Sequence, residues 1–241
     1  MQLRAALFII AIAACSKAKD KPAVEEPAPV VTASAETASA ETAPATTTPA
    51  APARMAKGTI NTIVGSPAPD FTLKDLEGKE VSLASFKGKT VVLEWFNPGC
   101  PFVKKAHGAG SLVDTAQRHA ASGVVWLAIN SGGPGKQGNE VKLNVDSAKT
   151  WKMAHPILRD ESGTVGKAYG ATNTPHIFVI NSTGTVVYGG AIDNSPDGEK
   201  QSAADGKLVN YVDEVLSAIA AGTPIKTHDT KAYGCSVKYG S

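Results

Sequence analysis

Cys100 stands in the run Trp95-Phe96-Asn97-Pro98-Gly99-Cys100-Pro101-Phe102-Val103-Lys104-Lys105, where an apolar, β-rich stretch gives way to a Pro-Gly turn. Pro101 suits the first position of a helix, because its missing N–H would have no helical partner there. The spacing therefore puts Cys100 at a helix start, facing unpaired backbone amides and the positive end of the dipole. Those groups favour thiolate over thiol, and Lys104 or Lys105 could add to them. A thiolate so placed attacks a disulfide or a peroxide. A buried structural cysteine is the bland alternative, and the helix-start position argues against it. The chain has three cysteines in all. Cys235, in Lys231-Ala232-Tyr233-Gly234-Cys235-Ser236, lies beyond the last apolar helical pattern, on a tail able to fold back.

The elements that must position these residues alternate from about Gly58 onward. Thr90–Phe96 is a nearly continuous apolar run, suited to a strand buried on both faces, and Val124–Asn130 is a second. His176–Ile180 and Thr185–Tyr188 flank Asn181-Ser182-Thr183-Gly184, whose turn chemistry predicts an antiparallel hairpin. Helical patterns run over Pro101–Arg118, Asn139–Trp151 and Lys207–Ala220. Strand, helix and strand, then a hairpin and a covering helix, make an α/β plan with a mixed central sheet flanked by helices. Residues 58–241 suffice for one such domain.

The N-terminus reads as an export signal. Arg4 precedes an apolar run, Ala5–Ala14, that is too short for a membrane span, which needs about 20 residues. The run ends in Ile12-Ala13-Ala14-Cys15, which resembles the bacterial lipobox and implies that Cys15 is lipidated and begins the mature chain. Residues 1–15 are then a lipoprotein signal peptide, and the protein sits in the cell envelope, on the periplasmic or extracellular face of a lipid membrane. Ser16 replaces the aspartate associated with inner-membrane retention, which points to the outer membrane where two membranes exist. Residues 16–57 are rich in Ala, Pro, Thr, Ser and Glu, with no aromatic residue, and read as an extended tether. The formal net charge of +2 gives no reason to expect nucleic acid as a partner.

The Cys100 region resembles the thioredoxin-like superfamily, and specifically its peroxiredoxin-like redoxin subgroup. Gly65-Ser66-Pro67-Ala68-Pro69-Asp70-Phe71 looks like the redoxin opening. Cys100-Pro101-Phe102-Val103 and Gly234-Cys235-Ser236-Val237-Lys238 are similar to the subgroup's paired motifs. The resemblance implies a thioredoxin-like fold over most of Gly65–Ala220, with Thr174-Pro175 as a cis-proline loop facing Cys100. Two departures matter. Val103 stands where thioredoxin has its second cysteine, and Asn97 and Leu93 stand where a peroxiredoxin places Thr or Ser and Pro. A resolving thiol within the chain must then be Cys235, whether the pair is redox-active or a permanent staple.

Other signals weigh less. The histidines show no metal spacing. A soft-metal site of Cys100 with His107 or His176 would make the protein a copper chaperone, although related chaperones carry a second nearby cysteine. Asp193–Gly198 partly resembles a calcium loop but has Ala204 where a bidentate Glu belongs. Gly132–Gln137 lacks the Ser or Thr of a phosphate loop and reads as an exposed loop on the active side. The expectation is an oxidoreductase acting on protein thiols, disulfides or small peroxides, without a cofactor or metal. A redoxin-fold binding module with a structural Cys100–Cys235 bond is the alternative, and a metallochaperone the third.

Overall fold

The structure, a computed structural model, describes Asn61, residues 63–197 and residues 199–240. Cys15 and the expected tether over 16–57 lie outside the described residues. Among the described residues nine strands form in chain order: β1 (Thr72–Asp75), β2 (Glu80–Ser82), β3 (Val91–Trp95), β4 (Val125–Asn130), β5 (Ile157–Arg159), β6 (Asn173–Thr174), β7 (His176–Ile180), β8 (Val186–Gly190) and β9 (Cys235–Ser236). The helices are α1 (Pro101–Gly108), α2 (Thr115–Ala120), α3 (Val141–Thr150), α4 (Thr164–Tyr169) and α5 (Tyr211–Ala221).

Seven strands form one mixed sheet in the order β2-β1-β5-β4-β3-β7-β8, while β6 and β9 pair separately. β3 sits in the interior of the sheet, parallel to β4 and antiparallel to β7. Every residue of β3 is buried, because helices cover both faces. On one face Val91, Leu93 and Trp95 pack with Phe178, Val165 and Tyr169. On the other, Val92 packs with Ile177, Val179 and the α5 residues Val212, Val215 and Leu216. This two-residue alternation fixes which way each position of β3 points, and it sends Glu94 to the α5 side.

The hairpin between β7 and β8 closes as its turn residues require. Asn181 Oδ1 accepts from the N–H groups of Thr183 and Thr185, and Gly184 takes the left-handed φ of +84°. The expected helix over Pro101–Arg118 is instead two helices. Gly108 ends the first and Gly110 lies just past it, and Leu112 turns into the core beside Ala106. The pattern over Lys207–Ala220 becomes helical only from Tyr211, where Asn210 caps α5 by accepting from Asp213 N–H.

Candidate functional site

Cys100 is the N-cap residue of α1, with extended φ and ψ of −78° and 126°, and Pro101 opens the helix. The turn before it is rigid. Gly99 N–H donates to Asn97 Oδ1 at 2.8 Å, and Cys100 N–H donates to Asn97 O at 3.0 Å. Asn97 is itself held by its own side-chain N–H, which donates to Gln137 O at 3.1 Å. The sulfur of Cys100 has no exposed surface. It lies 3.1 Å from Thr174 O and 2.8 Å from Cys235 Sγ, and both cysteines are free thiols.

The Thr174–Pro175 bond is cis and sits beside this pair. β9 runs antiparallel to β6, with Thr174 opposite Cys235 and Asn173 opposite Ser236. Cys100, Cys235, Thr174 and Pro175 therefore meet at one place, although Cys100 and Cys235 are 135 residues apart. Gly234 makes the approach possible. Its φ is +106°, and a Cβ there would overlap the Thr174 carbonyl oxygen. Beyond Cys235, Val237 N–H donates to Thr172 O, Gly133 N–H donates to Lys238 O, and Tyr239 OH donates to Ala171 O. Tyr239 lies against Gly163 and Gly166, where a side chain would clash with its ring.

The two thiols are driven in opposite directions. Burial opposes ionisation of Cys100, but hydrogen bonds from the Cys235 thiol, the Val103 N–H and the Cys235 backbone outweigh it and lower the pKa. Burial pushes Cys235 up to about 11, helped by the hydrogen bond it shares with Cys100. Of the two, Cys100 is the thiol more readily ionised and Cys235 the one that holds its proton more firmly. Lys105 takes no part, because its ammonium pairs with Glu199 at 2.7 Å.

Neither histidine is aimed at the sulfur. His107 Nε2 lies 2.7 Å from Glu94 Oε1, and its ring stacks on Trp151. His176 Nδ1 accepts from Thr172 N–H, and Nε2 pairs with Asn61 Oδ1. Among the described residues no group of three His, Cys, Asp or Glu side chains is placed to hold a metal ion. In the loop at Asp193 the Asp193 carboxylate is buried, Asp197 is exposed, and both are taken up by hydrogen bonds within the protein. Asp193 accepts from Ser111, Ser195 N–H and Tyr233, and Asp197 accepts from Ser195 and Ser202. The Gly132–Gln137 loop is only partly exposed. Gly132 and Gly133 are buried, Gly132 beside Asn130 and Asn139 and Gly133 beneath the tail at Gly240.

Glu94 and Tyr233 are the neighbours that sequence reasoning missed. Glu94 is fully buried, receives Trp126 Nε1–H at 3.1 Å and faces His107. Burial opposes its charge, yet the His107 imidazole holds its carboxyl below the ordinary 4.5. A lone carboxylate in a strand buried on both faces was the signal available for it.

The Redoxin family model matches residues 63–208. The chain belongs to the Redoxin family. Its fold is thioredoxin-like, with the mixed seven-stranded sheet described above. Two solved structures share it at a TM-score of 0.62. One is a hypothetical protein from Sinorhizobium meliloti, 26% identical, covering 73% of this chain and 93% of its own. The other is an uncharacterized conserved protein from Geobacillus kaustophilus, 28% identical, covering 73% and 91%. Among curated relatives, the thiol-disulfide oxidoreductase ResA of Geobacillus thermodenitrificans is 37% identical over 125 residues, 51% of this chain and 66% of that protein. The chloroplastic peroxiredoxin Q of Triticum aestivum is 30% identical over 135 residues, 52% of this chain and 57% of that protein. The redoxin match ends before α5, so Cys235 and its tail lie outside the segment that defines the family here.

Proposed function

We propose that this redoxin is a thiol–disulfide oxidoreductase in which Cys100 is the nucleophile, Cys235 the resolving thiol, and Thr174-Pro175 the loop that borders both. The contact of two free sulfurs at 2.8 Å, at a helix start and with opposed ionisation, carries this reading. Cys100 as thiolate attacks a substrate disulfide, forming a mixed disulfide and releasing one substrate thiolate. Cys235 then loses its proton and attacks Cys100 Sγ, and the second substrate thiol leaves. The two thiols are oxidised to one disulfide, and the substrate disulfide is reduced to two thiols. The likeness to ResA over the matched half of the chain supports the same class of reaction.

A second reading has its own observation. Cys100 has no exposed surface beneath the tail, so a small oxidant fits the closed site better than a polypeptide does. A peroxide would convert Cys100 to the sulfenic acid with release of water or an alcohol, and Cys235 would condense with it, releasing water. The likeness to peroxiredoxin Q supports this alternative. The reaction is placed outside the cytoplasm, on a lipid anchor at Cys15 followed by a tether over 16–57, on the strength of the N-terminal sequence pattern. Lipid labelling lost in Cys15→Ala tests the anchor.

The chemistry is tested with the full chain carrying Cys235→Ser. Oxidised glutathione or an oxidised protein substrate should leave a stable mixed disulfide on Cys100, and hydrogen peroxide a persistent sulfenic acid. A chain in which neither adduct forms, and in which the wild-type Cys100–Cys235 bond resists mild reductant, would be a stapled binding module instead.

A further inference from the structure

Cys235 is held by what precedes it more than by its own strand. The β6–β9 ladder is only two residue pairs long, too short to be stable alone. The chain reaches it through Tyr233, whose ring packs 6.2 Å from that of Phe102 on α1. The Tyr233 hydroxyl donates to Asp193 Oδ1 at 2.7 Å. That carboxylate is fixed in advance, since Oδ1 also accepts from Ser195 N–H at 3.0 Å and Oδ2 accepts from the Ser111 hydroxyl. Ser111 lies just past the end of α1, so Tyr233 is tied through both its ring and its hydroxyl to the side of the fold that carries Cys100. Gly234 then turns the chain into β9.

We propose that Tyr233 is the positioning residue for Cys235, its bond to Asp193 setting how often Cys235 lies in line with Cys100 and so whether a mixed disulfide is resolved within the chain or by an outside thiol. This rests on the thiol–disulfide reading above. When a substrate sulfur occupies Cys100, Cys235 must first give way and then return. The anchors beyond it, Val237 on Thr172 and Tyr239 on Ala171, keep the tail attached during that movement. Return to the in-line position is the work of the Tyr233 side. If Cys235 returns, it attacks Cys100 Sγ, the bond to the substrate breaks, and the substrate thiolate leaves. If it does not, an outside thiol attacks the same mixed disulfide and Cys235 keeps its proton.

Tyr233→Phe removes the hydroxyl and keeps the ring against Phe102. A lost hydrogen bond to a charged group moves an equilibrium by roughly tenfold or more. Wild type and variant are equilibrated in glutathione redox buffers, and peptide mapping counts the Cys100–Cys235 bond and the Cys100–glutathione adduct. The expected result is a roughly tenfold lower effective concentration of Cys235, with the glutathione adduct rising in its place while the far-ultraviolet circular dichroism of the reduced protein stays that of wild type. Asp193→Asn, which keeps an acceptor but loses the charge, should fall between the two. A Tyr233→Phe chain with the wild-type ratio of internal bond to adduct overturns the inference and leaves the functional reading standing. A wild-type chain that forms no Cys100–Cys235 bond at any ratio overturns both.

Discussion

Replacing Gly234 by alanine should lift β9 from β6 and leave the seven-stranded sheet intact. Gly234 has φ +106°, and two penalties coincide there. Holding an L-residue in such a conformation costs about 1–3 kcal/mol. A Cβ would also overlap the Thr174 carbonyl oxygen and lie 3.1 Å from its carbon and 3.3 Å from Pro175 Cδ. One neighbour is backbone and the other a proline ring, so neither can swing aside and the tail must give. Taking about 2 kcal/mol from the backbone conformation alone, the closed-to-open ratio falls roughly 30-fold, at about 1.36 kcal/mol per decade. Cys100 is sealed in the closed form, so its alkylation runs through the open one and should quicken by the same factor. The assay is peptide-resolved alkylation of Cys100 by iodoacetamide at fixed pH, in a Cys235→Ser background where serine still offers a hydrogen-bond donor. Far-ultraviolet circular dichroism checks that the sheet survives. A folded Gly234→Ala chain that alkylates Cys100 at the parent rate would refute the reasoning.

Three further outcomes follow from the buried groups. His107→Leu leaves the Glu94 charge buried without its imidazole and should cost about 3–5 kcal/mol in urea unfolding; a loss below about 1 kcal/mol would contradict the pairing. His176 is neutral, its pKa pushed down to about 4 by burial, so folding disfavours its protonation. The stability it lends is complete above the ordinary 6.5 and is lost as pH falls toward 4, up to about 3 kcal/mol, and Glu94 adds a loss of the same sign below 4.5. A urea midpoint unchanged between pH 7 and about 4.5 would argue against this. Thiolate absorbance of the reduced pair should appear in two steps, one below the ordinary 9.0 and one near 11, and a single step at 9 would remove the case for an activated Cys100.

Local signals led far into this fold. The run from Thr90 to Phe96 announces an interior strand, and Pro-Gly-Cys-Pro announces the helix start that caps with Cys100. The hairpin at Asn181–Gly184 is legible because a side-chain turn and a left-handed glycine leave little choice. Contacts made across the chain are harder to read. Nothing in Cys235-Ser236 as a dipeptide says that it pairs with Asn173-Thr174, because two residues carry no periodicity. Glu94 was hidden by its apolar neighbours, and its partner His107 lies 13 residues away on a different element. Tyr233 and Asp193 gave no joint signal either, since they lie 40 residues apart with α5 between them. The break of the long helix was the readable miss, as Gly108 and Gly110 mark it.

The β6–β9 ladder stands apart from the main sheet, and that separation layers the protection of backbone amides against solvent. The amides of β3 should exchange only when the whole domain opens, whereas Val237 N–H, bonded to Thr172, should exchange whenever the tail detaches. A bond between Cys100 and Cys235 would fasten the second layer to the first, moving the tail amides into the slow class. Hydrogen exchange at residues that carry no sulfur would then report the oxidation state of the pair.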